Sequence, residues 1–399
     1  MSKYESLPRD EKWRRLREAC KSKKDELALE LLASGAPANL ELGRAEFSPL
    51  GWACLNDSVV VVEALCDRGA DPWMDAQSPG LSAWEVAIGA ASHASLRAMA
   101  ERFHGLASIG GRRSPIEMIL SKGRASDKKT QSGLAESARI VAARFSPKDS
   151  ARFELHPLAS AARAGLVDIA AVFLDAGVDP NQRSVNGLTA LMLASKTEWK
   201  MCELLLSRGA DPLLVDEAGA TAFHWAVKRG SAEGVRALGR GPALKMRDAQ
   251  GFLALERVDG WGSFPLSTAA KNGNKELAKA LLAAGADPNA RNPYGKTALM
   301  GCAMGSGVCG VLLSHGADPL LVDEDGSTAL HWAVERGCAE AIRLLAKGPA
   351  MEMLDRGGRT AAQRAASARL SESAKACLES GILGMSAIAP DTPSKRPRL

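Results

Sequence analysis

The chain has 399 residues, 46% hydrophobic and 24% charged, values ordinary for a globular protein, but aromatics make up only 5% and Tyr occurs twice. Its net charge of +5 is concentrated at the ends, with nine Lys/Arg against five Asp/Glu over residues 1–25 and Lys395, Arg396 and Arg398 against Asp391 in the last fourteen; the long middle is near neutral, which argues against a duplex-binding body. No stretch approaches the ~18 continuous apolar residues of a membrane span, the N-terminus lacks a signal-peptide apolar core, and the eight cysteines show neither CxxC nor zinc-ligand spacing, so the chain reads as soluble and intracellular with buried, reduced thiols.

In chain order, residues 1–9 read as a flexible N-terminus and 10–48 as a helical cap. DEKWRRLREACKSKKDE places Trp13, Leu16 and Cys20 on one helix face and the arginines on the other. From Pro49 a unit recurs. It opens with a Thr suited to helix capping (Thr189, Thr221, Thr297, Thr328) or a Pro suited to the first turn (Pro49, Pro115, Pro157, Pro265). The first helix ends near a Gly (Gly165, Gly230, Gly273, Gly337), and a second follows with apolar residues at helical spacing, as in Val167, Ile169, Ala170, Phe173 and Leu174. Gly-Ala-Asp-Pro at 69, 209, 285 and 316 then stops the helix and turns the chain.

A longer period lies above the first. Pro49, Pro157 and Pro265 are 108 apart, His224-Trp225-Ala226-Val227 recurs 107 residues later as His331-Trp332-Ala333-Val334, and GADPLLVDE occurs at both 209–217 and 316–324. Three blocks of three units are therefore expected, over 49–156, 157–264 and 265–385, the last with a C-terminal cap. Residues 80–155 keep the spacing but lose most of the motif, and the run Arg124–Ser132 is expected to break a second helix. Gly251–Ser263 reads as an extra element with a partial counterpart at Gly358–Ala365. Residues 386–399, aperiodic and rich in Pro and Ser, read as a disordered basic tail.

The segments FPLSTAAKNGNKELAKALLAAGADPN (264–289), GKTALMGCAMGSGVCGVLLSHGADPLLVDED (295–325) and GSTALHWAVERGCAEAIRLL (326–345) resemble the ankyrin repeat, with its T-P-L-H-x-A opening, G-A-D-x-N close and period near ~33 residues. The resemblance covers about residues 10–385 and is most specific over 156–350. It implies an all-α solenoid of helix–turn–helix units joined by hairpin-like loops, elongated and curved, stabilised by stacking of neighbours. It implies that His224 and His331 make structural hydrogen bonds between turns, while Met192 and Met300 stand in the same place elsewhere. Trp225 and Trp332, at an apolar helix position, are expected to pack in the core.

No catalytic, cofactor or metal constellation stands out. GxGxxG at Gly305, Gly307 and Gly310 falls between two helices with no preceding strand, which is the wrong setting for a dinucleotide. The expectation is a non-enzymatic scaffold or adaptor, without cofactor or small-molecule substrate, binding another protein as a monomer. A regulatory subunit or inhibitor that occludes a partner enzyme is the alternative. A third reading, an enzyme with its site in 80–155 or 251–263, would need converging polar side chains that the sequence does not display.

By the resemblance, partners meet a concave face built from loop tips and first-helix ends. Carried over by position, that face holds Arg163, Lys196, Lys228, Arg229, Lys271, Asn272, Met304, Glu335 and Arg336, a stripe dominated by cations. An acidic or phosphorylated partner surface fits it, against the simpler reading of solvated helix ends where cations favour the local dipole. Nucleic acid and membrane are not expected as partners. The cytoplasm is the expected location, with Lys395-Arg396-Pro397-Arg398 as a candidate nuclear-import signal.

Overall fold

The computed structural model describes residues 3–39, 47–73, 81–103, 114–124, 128–144, 156–194, 199–259, 263–302 and 307–367, with Lys375 and Glu379. The described residues are helical, with two isolated antiparallel bridges and no extended strand. They divide into two units, Met1–Asp211 and Pro212–Leu399.

The first unit is a succession of helix pairs: α1 (Arg9–Lys21) and α2 (Asp25–Ala33), α3 (Pro49–Leu55) and α4 (Val59–Asp67), α5 (Ala83–Ala90) and α6 (His93–Arg102), α7 (Pro115–Gly123) and α8 (Lys128–Arg144), α9 (Pro157–Ala164) and α10 (Val167–Asp175), and α11 (Ala190–Ala194) and α12 (Trp199–Ser207). First helices pack on first helices, and second helices on second helices, making two layers. Short helices of this length are marginal alone, so the packed apolar faces hold them. Leu16, Leu31, Leu50, Leu65, Trp84, Leu96, Ile119 and Phe173 are fully buried between the layers, each worth about 2 kcal/mol by area removed from water.

Local chemistry sets the helix starts. Pro49, Pro115 and Pro157 occupy the first turns of their helices. Ser82 with Glu85, and Ser114 with Glu117, close reciprocal capping boxes on α5 and α7. The run Arg124–Ser132, expected to break a second helix, instead supplies the start of the 17-residue α8 from Lys128 onward. Buried Leu134, Ala138 and Val141 recur at helical spacing along α8, and that apolar face outweighs the polar composition of its first turn.

The second unit continues with α13 (Ala222–Arg229) and α14 (Ala232–Leu238), α15 (Pro265–Lys271) and α16 (Lys275–Ala283), α17 (Ala298–Gly301) and α18 (Val308–Ser314), α19 (Ala329–Glu335) and α20 (Ala339–Leu345), and a last first-type helix, α21 (Ala361–Ser367). Phe223 and Leu281 anchor its core. Thr221 caps α13 by accepting the His224 N–H at 3.4 Å. Thr297 does not cap α17: its buried Oγ1 has no partner among the described residues, and α17 is only four residues long. Of Gly251–Ser263, expected as an extra element, the described residues complete a hairpin closed by the Arg247–Leu253 bridge and then turn at Ala254–Glu256, residues 260–262 lying outside the described residues; the Leu354–Thr360 bridge is the counterpart 107 residues on.

Asparagines tie successive loops together. Asn181 donates from Nδ2 to the Gly209 carbonyl (3.1 Å) and accepts the Asp211 N–H (2.7 Å). Asn289 repeats both bonds with Gly316 and Asp318 in the second unit, and Asn39 makes them with Gly69 and Asp71 in the first. The Asn of the closing motif therefore clamps the backbone about thirty residues ahead, satisfying polar groups at a helix end.

Candidate partner-binding site

The second unit carries a repeated polar device at its hairpin tips. Asp216 accepts the N–H groups of Ala218 (2.9 Å) and Ala220 (2.8 Å) on one oxygen and the Trp225 indole N–H (2.9 Å) on the other. Asp323 does the same with Asp325, Ser327 and Trp332 at 3.0, 2.9 and 2.8 Å. Asp248 accepts from Gln250 and Phe252 and pairs with Arg257; Asp355 accepts from Arg359 and pairs with Arg364 at 2.9 Å. Asp259 takes the Ser263 N–H at 2.9 Å and the Thr268 hydroxyl at 3.4 Å. In each case the side-chain partner lies nine residues after the acid. The Asn292 side chain accepts the Tyr294 and Lys296 N–H groups, and the residue nine positions on is Gly301, which has no side-chain donor.

These bonds fix the charge state. Burial pushes the Asp248 carboxyl up, but the Phe252 and Gln250 N–H groups and the Arg257 guanidinium outweigh it and hold the group below the usual carboxylate range. The Arg359 N–H leads the same downward shift at Asp355.

The two histidines are structural. His224 Nδ1 accepts the Thr221 N–H (3.3 Å), so the proton sits on Nε2, which donates to the Phe252 carbonyl at 3.3 Å. His331 repeats the arrangement with Thr328 (3.2 Å) and Arg359 (3.2 Å). Burial holds both below their ordinary pKa. Each is a neutral tether from a first helix to the next hairpin.

The tryptophans are not core residues. Both are half-buried, with one edge fixed by the tip Asp and the ring face under cations. Lys228 Nζ and the Arg229 guanidinium lie 5.2 and 4.8 Å from the Trp225 ring; Lys296 and Arg336 lie 3.9 and 5.1 Å from the Trp332 ring. Stacked cations on an aromatic face contribute about 0.5–1 kcal/mol each at such exposed sites and hold the cations in place.

The expected contact residues are placed as follows. Lys228 and Arg229 form the exposed last turn of α13; Lys271 ends α15 and Asn272 caps it, both exposed. Glu335 and Arg336 end α19, and Glu335 is drawn to Arg364 at 3.4 Å. Arg163 is exposed in the last turn of α9 in the first unit. Lys196 and Met304 lie outside the described residues, as do Gly305, residues 386–399 and parts of 80–155. Among the described residues, Lys228, Arg229, Lys271 and Arg336 have no carboxylate within ion-pair distance.

Other chemistry is sparse. Among the described residues no three His, Cys, Asp or Glu side chains are grouped to hold a metal ion, and no helix is long and apolar enough to cross a membrane. Burial pushes the thiols of Cys20 and Cys66 up to about 12 and that of Cys202 up to about 11, which keeps them protonated.

Paired short helices, stacked layer on layer and joined by hydrogen-bonded hairpins with capped tips, define a helical repeat protein. The family comparison is specific: the model described as "Ankyrin repeats (3 copies)" matches residues 158–248, 246–323 and 307–384. The chain belongs to the ankyrin-repeat family, and its repeats form a protein-interaction scaffold. It is 34% identical over 132 residues to cyclin-dependent kinase 4 inhibitor B of Bos taurus, spanning 33% of this chain and 92% of the relative. It is 34% identical over 135 residues to a putative ankyrin repeat-containing protein of Treponema pallidum, spanning 33% and 41%. The ankyrin repeat domain of Bcl-3 is 26% identical, covers 56% of this chain and 97% of its own, and has a TM-score of 0.41.

Neither the tip acids nor the half-exposed setting of the two tryptophans belongs to the repeat's opening and closing motifs. The signal was present: the spacing of nine recurs at Asp216/Trp225 and, 107 residues later, at Asp323/Trp332.

Proposed function

We propose that the chain is a non-catalytic adaptor that binds an acidic or phosphorylated surface of a partner protein through the face bearing its first-helix ends. The observation that carries this is the pair of tryptophans, each with cations set on its ring, in which Lys228, Arg229 and Arg336 have no carboxylate of their own. The single acid of the stripe in this unit, Glu335, is already drawn to Arg364, so the outward charge is positive. Aromatic and Arg anchors of this kind dominate many interfaces, and unneutralised cations steer acidic partners. Cytoplasmic, monomeric action is part of the same reading.

Affinity capture of the full chain from its native cytosol tests it, with wild type beside a Lys228→Glu, Lys271→Glu, Arg336→Glu variant. The expected result is a captured protein lost from the variant, with affinity falling as salt rises. A partner held equally by both chains, with no salt dependence, refutes the basic surface. The inhibitor reading draws on the likeness to proteins named as inhibitors of cyclin-dependent kinase 4. It predicts that the captured partner is an enzyme whose activity falls on binding.

A further inference from the structure

In the second unit α15, α17, α19 and α21 pack side by side, yet α13 and α15 do not pack closely on each other, although α14 and α16 behind them do. The hairpin and turn of residues 247–259 bond to both: His224 of α13 reaches the Phe252 carbonyl, and Thr268 of α15 donates to Asp259. This segment begins like a repeat. It has the tip acid Asp248, the tether from His224, a buried Ala254 and Arg257 nine residues after the acid. In the counterpart 107 residues later, Asp355 and the tether from His331 lead into α21, which contains Ala361 and Arg364 and packs on α19. The earlier copy turns at Ala254–Glu256, and among the described residues no helix packs on α13 as α21 packs on α19.

The space left is a cleft of about 640 Å³. That falls within the roughly 300–1,000 Å³ of functional ligand sites. Val227, Ala254, Ala269 and Leu277 supply its apolar wall, all of them buried residues. Lys228, Arg229, Asn272 and Asn274 supply polar groups at its mouth. Of the other charges at the cleft, Arg257 is matched by Asp248 and Asp259 offsets one more cation, leaving one net positive charge. An apolar wall below one unmatched positive charge suits a short methylene stem ending in a monoanion.

We infer that this cleft is a specificity pocket for a glutamate side chain presented by an extended segment of a partner protein. The inference rests on the adaptor reading above and deepens it by naming what the basic surface recognises. The guanidinium of Arg229 offers a carboxylate a two-pronged donor set, Lys228 adds a point charge, and the Glu methylenes pack against Val258 and Pro265, the apolar lining residues that still present surface to solvent.

The test is a titration of the full chain, 13C-labelled at Ala, Leu and Val methyls, with N-acetyl-glutamate amide. The neutral isostere N-acetyl-glutamine amide and N-acetyl-phosphoserine amide serve as separate arms. Saturable shifts of the Ala254, Ala269, Val227 and Leu277 methyls are expected, with the glutamate probe at least about fivefold tighter than its isostere. A Lys228→Ala, Arg229→Ala chain, changed only at exposed positions, loses that preference. Equal affinity for the two isosteres overturns the pocket. So does tighter binding of phosphoserine, or the absence of shifts at the cleft. Asn272→Trp, which fills the mouth from an exposed position, separates the two levels. A captured partner retained equally by that variant and by wild type overturns the cleft and leaves the adaptor standing. A chain that captures nothing overturns the adaptor, and the cleft is then decided by the titration.

Discussion

Asp323 offers the sharpest test of the tip device. Replacing it with Asn keeps shape and volume, and the amide oxygen can still accept the N–H groups of Asp325 and Ser327. The amide nitrogen then faces the Trp332 Nε1–H, donor against donor, where a carboxylate oxygen stood at 2.8 Å. Losing one hydrogen bond to a charged acceptor costs about 1.5–3 kcal/mol, and because Trp332 is half-exposed, water can take the indole N–H and place the cost at the lower end. Trp332→Phe removes the competing donor, so Asp323→Asn should cost about 1–2 kcal/mol less in a chain that already carries that change. The molecule contains its own precedent: Asn292 holds the equivalent tip where Gly301 brings no side-chain donor. Since repeat arrays need not unfold in one step, local opening should be read by native-state hydrogen exchange over residues 323–335, with urea unfolding alongside. Single and double variants that add to within about 0.5 kcal/mol would refute donor matching as the reason for an acid at this position.

Three further outcomes follow from the same geometry. Burial holds His224 and His331 below the ordinary value of about 6.5, so the unfolded chain takes up protons first as pH falls; stability should drop from about pH 7 downward until the folded pKa is reached, and His224→Gln with His331→Gln should flatten that slope in urea midpoints. Gly219→Ala should cost upward of about 2 kcal/mol, because φ is +71° and a Cβ would stand 2.5 Å from the Ala249 nitrogen, whereas Gly316→Ala, at φ +85° with open space around it, should cost about 1 kcal/mol by thermal unfolding. Arg257→Ala should speed hydrogen exchange at Gln250 and Phe252 more than Arg364→Ala does at Arg359, since Asp355 retains Arg359 at 3.6 Å while Asp248 is left with its backbone donors alone.

Much of the fold is legible because its signals are local. Pro157 and Pro265 announce helix starts by their fixed φ, and the Gly-Ala-Asp-Pro at 209 and 316 announces stops. The start of α8 was hidden because polar residues in a first turn look like a loop until the buried Leu134, Ala138 and Val141 are seen against neighbouring helices. The tryptophans misled for a related reason. A ring at an apolar helix position reads as core, and only the distant Asp216 and Asp323, joined to it across a hairpin, hold it half out with cations on its face. Helix-end cations such as Lys228 and Arg229 were legible as a stripe. Their freedom from carboxylates depends on which acids the tips have already engaged, which is a property of packing.

The cleft depends on a still less local fact. A repeat array draws its stability from each unit's intrinsic terms and its contacts with the next, so dropping a first helix should weaken the array at that point. Here the loss is contained. The second-helix layer remains continuous through α14 and α16, His224 reaches the hairpin through the Phe252 carbonyl, Thr268 of α15 donates to Asp259, and the buried Asp248 holds the segment itself together through Arg257. These polar links replace part of the missing helix contact while leaving its volume open. Arg364 performs the same pairing from within α21, which fills the space beside α19. The difference between a filled and an open flank therefore lies in whether the residues after Ala254 or Ala361 continue as helix. On this account the array gains a concavity at one chosen junction without breaking the layer that holds it together.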